Sequence, residues 1–210
     1  MALDVTLYLI TNSDTKSEAD FLATVDAACR GGVTLVQLRE KDRPGREIYE
    51  LALKTKQITD AHGIPLVVDD RVDIALAAGC GVHLGQTDLP IGVAREILGE
   101  HAIVGATAKT VDQAVLAAEQ GASYLGVGAI FPTKTKVQTV VTPVATLSDI
   151  VAAVSIPIVA IGGLDATNLA VLRGSGADGV AVVRAIMDAP DATRAASDLR
   201  CAVLDVLALT

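Results

Sequence analysis

The sequence predicts an α/β fold, a (β/α)8 TIM barrel that forms a single domain over residues 1–210. Eight apolar, β-branched segments alternate with eight segments whose apolar residues recur at helical spacing, and no linker interrupts the series. Near-continuous apolar strands such as 158–161 and 180–183 are typical of parallel sheets covered on both faces. The alternative, an open doubly wound sheet, lacks the Gly-x-Gly-x-x-Gly turn that marks a dinucleotide crevice.

The elements follow one another at intervals of about 26 residues. Gly31 and Gly32 end the first helix, and Pro44 suits the first turn of the second. The predicted strands cover 5–11, 33–41, 64–68, 82–85, 102–106, 124–127, 157–161 and 179–183. The predicted helices cover 19–30, 44–63, the segment up to 78, 90–98, 111–120, 146–154, 166–175 and 191–209.

The second strand shows which side of the sheet carries polar groups. Side chains alternate across a strand, so the odd-numbered residues from Leu35 to Lys41 share one face. That face changes from leucine to glutamine, arginine and lysine toward the end of the strand. The even-numbered residues from Val36 to Glu40 face the other way. A strand end emerging into solvent would look the same, but later strands end in a similar way.

Composition restricts the class of protein. Hydrophobic residues make up 51% of the chain, and no apolar run reaches the length of about 18 residues that a membrane span needs. A net charge of −8 argues against nucleic acid or an anionic membrane as a partner. The start of the chain has no signal-peptide pattern. The three cysteines are odd in number and share no Cys-x-x-Cys spacing, which fits a reduced cytoplasm. The oligomeric state stays open, a homo-oligomer included.

Polar residues collect where the predicted strands end. In parallel barrels this C-terminal end carries the active site, so we expect the side chains to converge there. The positions are Gln37, Arg39 and Lys41; Asp69, Asp70 and Arg71; Gln86 and Asp88; Thr107 and Lys109; residues 131–136; Gly162 and Gly163; and Val183 and Arg184.

Asp70 and Asp88 together suit a hard cation. Magnesium is commonly held by one or two carboxylates and by substrate phosphates. The alternatives are that Asp69 or Asp70 caps the helix beginning near Arg71 and that Asp88 is a turn residue before Pro90. We favour the metal site.

Two further segments predict phosphate binding. Hydroxyl and ammonium groups alternate from Thr133 to Lys136, although a solvated loop would also carry them. Gly162 and Gly163 let the backbone approach an anion at the start of a helix, although an ordinary turn is the alternative. His83 lies within the fourth strand and is expected to line the barrel interior.

The motifs resemble those of the thiamine phosphate synthase family, in order from Tyr8 to Ile186. The resemblance rests on the runs 36–41, 69–73, 81–88, 126–128, 131–136 and 160–163. It implies a magnesium-dependent, dissociative condensation of a hydroxymethylpyrimidine diphosphate with a thiazole phosphate, giving thiamine phosphate and pyrophosphate. A thiazole tautomerase paralogue and a non-catalytic barrel that binds a thiamine precursor are the alternatives.

The resemblance also implies roles for individual residues. Arg39, Lys41 and Lys136 would be catalytic. Gln37, Arg39 and Lys41 would hold the pyrimidine and its diphosphate, helped by Asp69, Thr107 and Lys136. The thiazole phosphate would be held by Thr133, Thr135, Gly163 and the backbone of Val183 and Arg184, and Mg²⁺ by Asp70 and Asp88. Leu38, Glu40 and Lys134 would be further substrate-binding residues. Three positions depart from the family pattern, since Asp69 replaces Asn, and Thr107 and Arg184 each replace Ser.

Overall fold

The computed structural model describes residues 3–132 and 140–209 and contains a closed parallel barrel. Each strand pairs with the next, and the last pairs with the first through Leu7 and Val180. The strands are β1 Leu7–Ile10, β2 Leu35–Leu38, β3 Leu66–Asp69, β4 Gly81–Leu84, β5 Val104–Ala108, β6 Tyr124–Gly128, β7 Ile158–Ile161 and β8 Gly179–Val182. The predicted barrel is confirmed.

Helices surround the strands on the outside. They are α1 Glu18–Arg30, α2 Gly45–Ala61, α3 Val72–Ala78, α4 Ile91–Leu98, α5 Val111–Glu119, α6 Val144–Ala153, α7 Arg184–Met187 and α8 Ala192–Leu207. Within the described residues, no helix is long and apolar enough to cross a membrane.

The predicted helix over 166–175 is wrong. Only a 3-10 turn, Leu169–Leu172, forms after β7. Asn168 accepts a hydrogen bond from the Asp165 amide and donates one to the Gly163 carbonyl, so side-chain bonds take the place of a helical start. The short helix α7, directly after β8, was not predicted.

The alternation of side chains on the strands divides the core into two layers. Val36 and Leu38 pack outward, between the barrel and its helices. Leu35 packs inward with Tyr8 and Tyr124, inside the barrel. The predicted division of the second strand into two faces is therefore confirmed for Leu35–Leu38, where the strand ends earlier than predicted, and Gln37 lies on the inner face.

Two tyrosines cross the barrel interior and meet. The hydroxyl groups of Tyr8 on β1 and Tyr124 on β6 are 2.7 Å apart, and the rings pack edge to face. Space for the Tyr124 ring comes from Gly105 on the neighbouring β5, because a Cβ there would lie 2.2 Å from the ring carbon that carries the hydroxyl. A glycine in the strand thus serves the close approach of a side chain.

Arg95 joins three segments at the opposite, N-terminal end of the barrel. Arg95 is a residue of α4. Its guanidinium group reaches the turn that follows this helix and the turn that precedes β6. It donates hydrogen bonds to the carbonyl oxygens of Gly99, Glu100, Ala102 and Gly121 and to the hydroxyl of Ser123. The planar, multi-donor shape of arginine suits this task, which a lysine ammonium could not perform.

We expect Arg95→Ala to lower the free energy of unfolding by about 1.5–3 kcal/mol, because several carbonyl groups lose a charged donor. Arg95→Lys is expected to recover little of this loss. Arg173→Ala is the control, since Arg173 makes an exposed ion pair with Asp205 and its removal should change stability by less than about 0.5 kcal/mol. Denaturant unfolding measures all three, and equal effects of the two alanine variants would contradict the assigned role.

Candidate active site

The inward-facing residues at the C-terminal ends of the strands define the candidate site. Gln37 on β2, Asp69 on β3 and Thr107 on β5 all lie there. Asp69 pairs with His83 across β3 and β4 in the strand register, and Thr107 pairs with Gly126 across β5 and β6. The parallel arrangement therefore brings together side chains that are far apart in the sequence.

Gln37 presents a buried donor without a hydrogen-bond acceptor. Its side chain is 2% exposed, and Nε2 has no hydrogen-bond partner among the residues that the structure describes. The amide lies close enough to the Tyr8 hydroxyl to oppose the rise in the pKa of that phenol, but not in hydrogen-bond geometry. Buried polar groups are normally satisfied, so an unpaired donor on the inner face of the barrel is unusual.

Two cations and two carboxylates meet at the C-terminal ends of β2 and β3. Lys41 Nζ lies 2.7 Å from Asp69 Oδ2 and also contacts Asp70 Oδ2, while Arg39 Nε lies 3.7 Å from Asp69 Oδ2. Burial raises the pKa of Asp69, and repulsion from Asp70 adds to the rise, although Lys41 opposes it. Burial also acts on Asp70, but the Lys41 ammonium group overcomes it and lowers the pKa of this carboxyl.

Asp70 and Asp88 face each other. Asp70 has a φ of 62°, a left-handed conformation that is uncommon for residues other than glycine and that often occurs at functional sites. Burial and the contact with Asp70 raise the pKa of Asp88, against the effect of the Gly85 amide. That amide donates to Asp88 Oδ2 at 2.7 Å, so Asp88 also stabilises its own turn.

Asp69 and Asp70 do not serve as helix caps. Helix α3 begins after Arg71 without a side-chain cap, so neither Asp69 nor Asp70 caps it. In the described part of the chain, no group of three or more His, Cys, Asp or Glu residues could hold a metal ion. Two facing carboxylates nevertheless fit Mg²⁺, which usually completes its shell with water and phosphate oxygen atoms.

Gly162 and Gly163 form a second part of the candidate site. Both have positive φ angles, 106° and 64°. A Cβ on Gly163 would lie 2.8 Å from Phe131 Cβ, and the Phe131 amide donates to the Gly162 carbonyl at 3.0 Å. The loop after β7 therefore lies against the segment that leads into residues 133–139. The predicted positions Thr133, Lys134, Thr135 and Lys136 themselves lie outside the described residues.

The loop after β8 places Val183 directly before α7, which begins at Arg184. The Arg184 side chain is 61% exposed and donates to Asp188 on the same helix at 2.9 Å. Only the backbone of Arg184 is thus left for the site, in agreement with the backbone role that the resemblance implies.

Two of the predicted substrate-binding residues have side chains that are buried within the protein. Leu38 is fully buried between the sheet and the helices. The Glu40 carboxylate is 4% exposed, accepts from the Ser13 hydroxyl at 2.7 Å and pairs with Arg43 at 2.9 Å. The Leu38 side chain therefore faces the helices, whereas the Glu40 carboxylate joins the loops that follow β1 and β2.

Sequence reasoning missed a row of polar groups beneath the mouth. The Tyr8 and Tyr124 hydroxyl groups meet, the Tyr124 hydroxyl lies 3.0 Å from His83 Nδ1, and His83 Nε2 lies 3.0 Å from Thr107 Oγ1. The chain has only three tyrosines, and one of them, Tyr124, lies on a strand opposite Gly105. This pairing of a large residue with a glycine could have predicted an aromatic side chain inside the barrel. The predicted place of His83 inside the barrel is confirmed.

Comparison with known proteins agrees with this geometry. Residues 7–186 match the family model described as thiamine monophosphate synthase. The chain belongs to that family. A protein from Lacticaseibacillus paracasei named thiamine-phosphate synthase is 49% identical over 207 residues, covering 98% of this chain and 97% of the relative. One of the same name from Enterococcus faecalis is 51% identical over 188 residues, covering 89% of each.

Solved structures give the same family. Thiamine phosphate pyrophosphorylase from Pyrococcus furiosus superimposes with a TM-score of 0.88 at 40% identity, and 98% of each chain is covered. A tryptophan synthase structure from Mycobacterium tuberculosis, at 14% identity and a TM-score of 0.72, shares the fold alone. The family predicted from the motifs is confirmed, and with it the class of activity, a thiamine-phosphate synthase.

The raised pKa of Asp69 predicts a pH-dependent effect of Asp69→Asn. Because the folded state binds the Asp69 proton more tightly than the unfolded chain, stability is lost as the pH rises through the folded pKa. Asp69→Asn should therefore raise the melting temperature near pH 7, and the gain should vanish as the pH falls toward the ordinary value of 3.8.

Melting curves without divalent cations measure this effect. Asp73→Asn is the control, because hydrogen bonding from Arg71 lowers the pKa of Asp73, so its replacement should lower stability near pH 7 or leave it unchanged. A melting temperature that falls at neutral pH in Asp69→Asn would mean that the ion pair with Lys41 outweighs the burial of the carboxylate.

Proposed function

We propose that this chain joins a hydroxymethylpyrimidine diphosphate to a thiazole phosphate, forming thiamine phosphate and pyrophosphate. The observation that carries the proposal is the cluster of Arg39 and Lys41 with the facing carboxylates Asp70 and Asp88 at the barrel mouth. Cations beside a carboxylate pair suit a diphosphate that arrives with a divalent cation. Membership of the thiamine monophosphate synthase family supports the choice of substrates.

The pyrimidine would occupy the mouth above Gln37 and Thr107. The Gln37 side chain would contact the ring, and the diphosphate would extend toward Arg39 and Lys41. The thiazole phosphate would lie across the mouth at the loop of Gly162 and Gly163, where Gly163 is exposed and has no side chain to keep an anion from its backbone. Residues Thr133 to Lys136 enter this assignment from the sequence motif alone.

The reaction would break the bond between the methylene carbon and the diphosphate oxygen, and the electron pair would leave with the diphosphate. The thiazole nitrogen would then supply its lone pair to the pyrimidinylmethyl cation and form the new carbon–nitrogen bond. Arg39 and Lys41, with Lys136 from the motif, would stabilise the negative charge that develops on the leaving group. Such a reaction depends on electrostatic stabilisation rather than on a strong general base.

Asp70 and Asp88 would hold Mg²⁺, which supplies charge neutralisation at the diphosphate oxygen atoms when bound. Lys41 contacts both Asp69 and Asp70, so an incoming diphosphate would compete with these carboxylates for the ammonium group.

The cysteines bear on the compartment of the protein. Cys29, Cys80 and Cys201 are free thiols, which is typical of proteins in a reducing compartment, and we propose a cytoplasmic location on this ground.

A product assay tests the proposal. Purified protein with Mg²⁺ and both substrates should form thiamine phosphate and release pyrophosphate in equal amounts. Conversion of the thiazole alone would identify a tautomerase. Tight binding of the pyrimidine without turnover would identify a sensor, and either of these results would contradict the proposed synthase.

Asp88→Asn tests the metal assignment. The amide oxygen can still accept from the Gly85 amide, so the turn should persist while the ligand charge is lost. We expect the Mg²⁺ concentration for half-maximal rate to rise at least about tenfold, since even changes around metal ligands have effects of this size. Asp73→Asn, at an exposed ion pair on α3, is the control. An unchanged Mg²⁺ dependence in Asp88→Asn would place the cation elsewhere.

A further inference from the structure

Four side chains form a continuous hydrogen-bonded row through the barrel. It runs from Tyr8 to Tyr124 at 2.7 Å, from Tyr124 to His83 Nδ1 at 3.0 Å, and from His83 Nε2 to Thr107 Oγ1 at 3.0 Å. Tyr8 and Tyr124 are at most 1% exposed. Thr107 lies at the mouth and is partly exposed. The row thus connects the closed interior of the barrel with the candidate site.

The protons in this row can be assigned from the need of each buried phenol for an acceptor. The Tyr8 hydroxyl is in hydrogen-bond geometry with the Tyr124 hydroxyl and not with the Gln37 amide nitrogen, so the Tyr124 oxygen is the acceptor within its reach. The Tyr8 hydroxyl therefore donates to the Tyr124 oxygen. The Tyr124 proton must then go to its other neighbour, His83 Nδ1.

This direction selects one tautomer of His83. A neutral imidazole that accepts at Nδ1 carries its proton on Nε2. Nε2–H then donates to Thr107 Oγ1. Because the Thr107 oxygen already accepts from His83, its own proton points away from the histidine. The threonine hydroxyl is left as a donor at the mouth.

We propose that Tyr124 and His83 are positioning residues that fix the Thr107 hydroxyl as a hydrogen-bond donor to the bound pyrimidine. The contact with the pyrimidine rests on the proposed function, whereas the direction of the row does not. A pyrimidine ring nitrogen is an acceptor of the kind that such a hydroxyl can serve. The family pattern of serine at this position retains the same hydroxyl.

Two neighbouring glycines support a specific role for the row rather than simple filling of the barrel. A Cβ on Gly105 would lie 2.4 Å from the Tyr124 hydroxyl oxygen, so any larger residue would displace the phenol. A Cβ on Gly126 would lie 3.4 Å from His83 Cε1, so a larger residue there would press on the imidazole. Burial raises the pKa of both phenols, which keeps their protons available for donation.

Nitrogen-15 NMR of the histidine side chains tests the tautomer directly. Replacing the other two histidines, as His62→Asn and His101→Asn, leaves His83 as the sole signal. At a pH of about 8, the spectrum should show the Nε2–H tautomer, and Tyr124→Phe should shift it toward a mixture with Nδ1–H. A predominantly Nδ1–H or doubly protonated His83 in the parent protein would overturn the proposal.

Kinetics distinguish positioning from packing, because the row offers a matched pair of variants. Tyr124→Phe removes the donor to His83, whereas Tyr8→Phe removes a hydroxyl of similar burial and leaves that donor in place. We expect Tyr124→Phe to lower kcat/KM for the pyrimidine diphosphate about tenfold, with the thiazole KM unchanged. Tyr8→Phe should stay within about twofold. Equal losses in the two variants would overturn the proposal.

Replacing Thr107 shows whether the effect passes through its hydroxyl. In a Thr107→Val background, Tyr124→Phe should cause no further loss, whereas in Thr107→Ser it should keep its full effect. A loss that persists in the valine background would overturn the proposal. If the parent protein forms no thiamine phosphate, the proposed function fails by itself, and the NMR spectrum still decides the direction of the row.

Discussion

The two-residue period of a strand, imposed on a closed barrel, is the constraint on which the site depends. Gln37 and Asp69 reach the mouth because they share the inner face of their strands, while Leu38, one position along, is buried among the helices. A shift of one residue in any strand would exchange these positions. Function and packing are thus specified by the same alternation of side chains, and neither can change alone.

Charge in the site is balanced before any ligand arrives. The chain is acidic, yet Lys41 and Arg39 lie at the mouth because Asp69 and Asp70 pair with them there. Asp69 stands where the family pattern has Asn, and its carboxylate adds ion pairs with Arg39 and Lys41 that an asparagine would lack. An anionic ligand must therefore exchange partners with the carboxylates, so the affinity of the site reflects a difference between two sets of ion pairs.

Much of the fold follows from the sequence, because strand alternation and helix spacing are local patterns. The segment 166–175 was misjudged, since its apolar spacing is compatible with a helix and only the side chain of Asn168 shows why none forms. The row through Tyr124 and the bonds of Arg95 join residues from different strands and turns. Such contacts depend on three-dimensional placement, which no single segment reveals.

The pairing of β1 with β8 also affects how the chain folds. Leu7 and Val180 are 173 positions apart, and a Cβ on Gly179 would lie 1.8 Å from the Val5 carbonyl oxygen, so the last seam closes tightly. At about 5–20 residues per second, a ribosome needs on the order of 10–35 s to synthesise the intervening chain. Throughout that interval the nascent chain carries an open strand edge, the kind of surface that chaperones protect from aggregation.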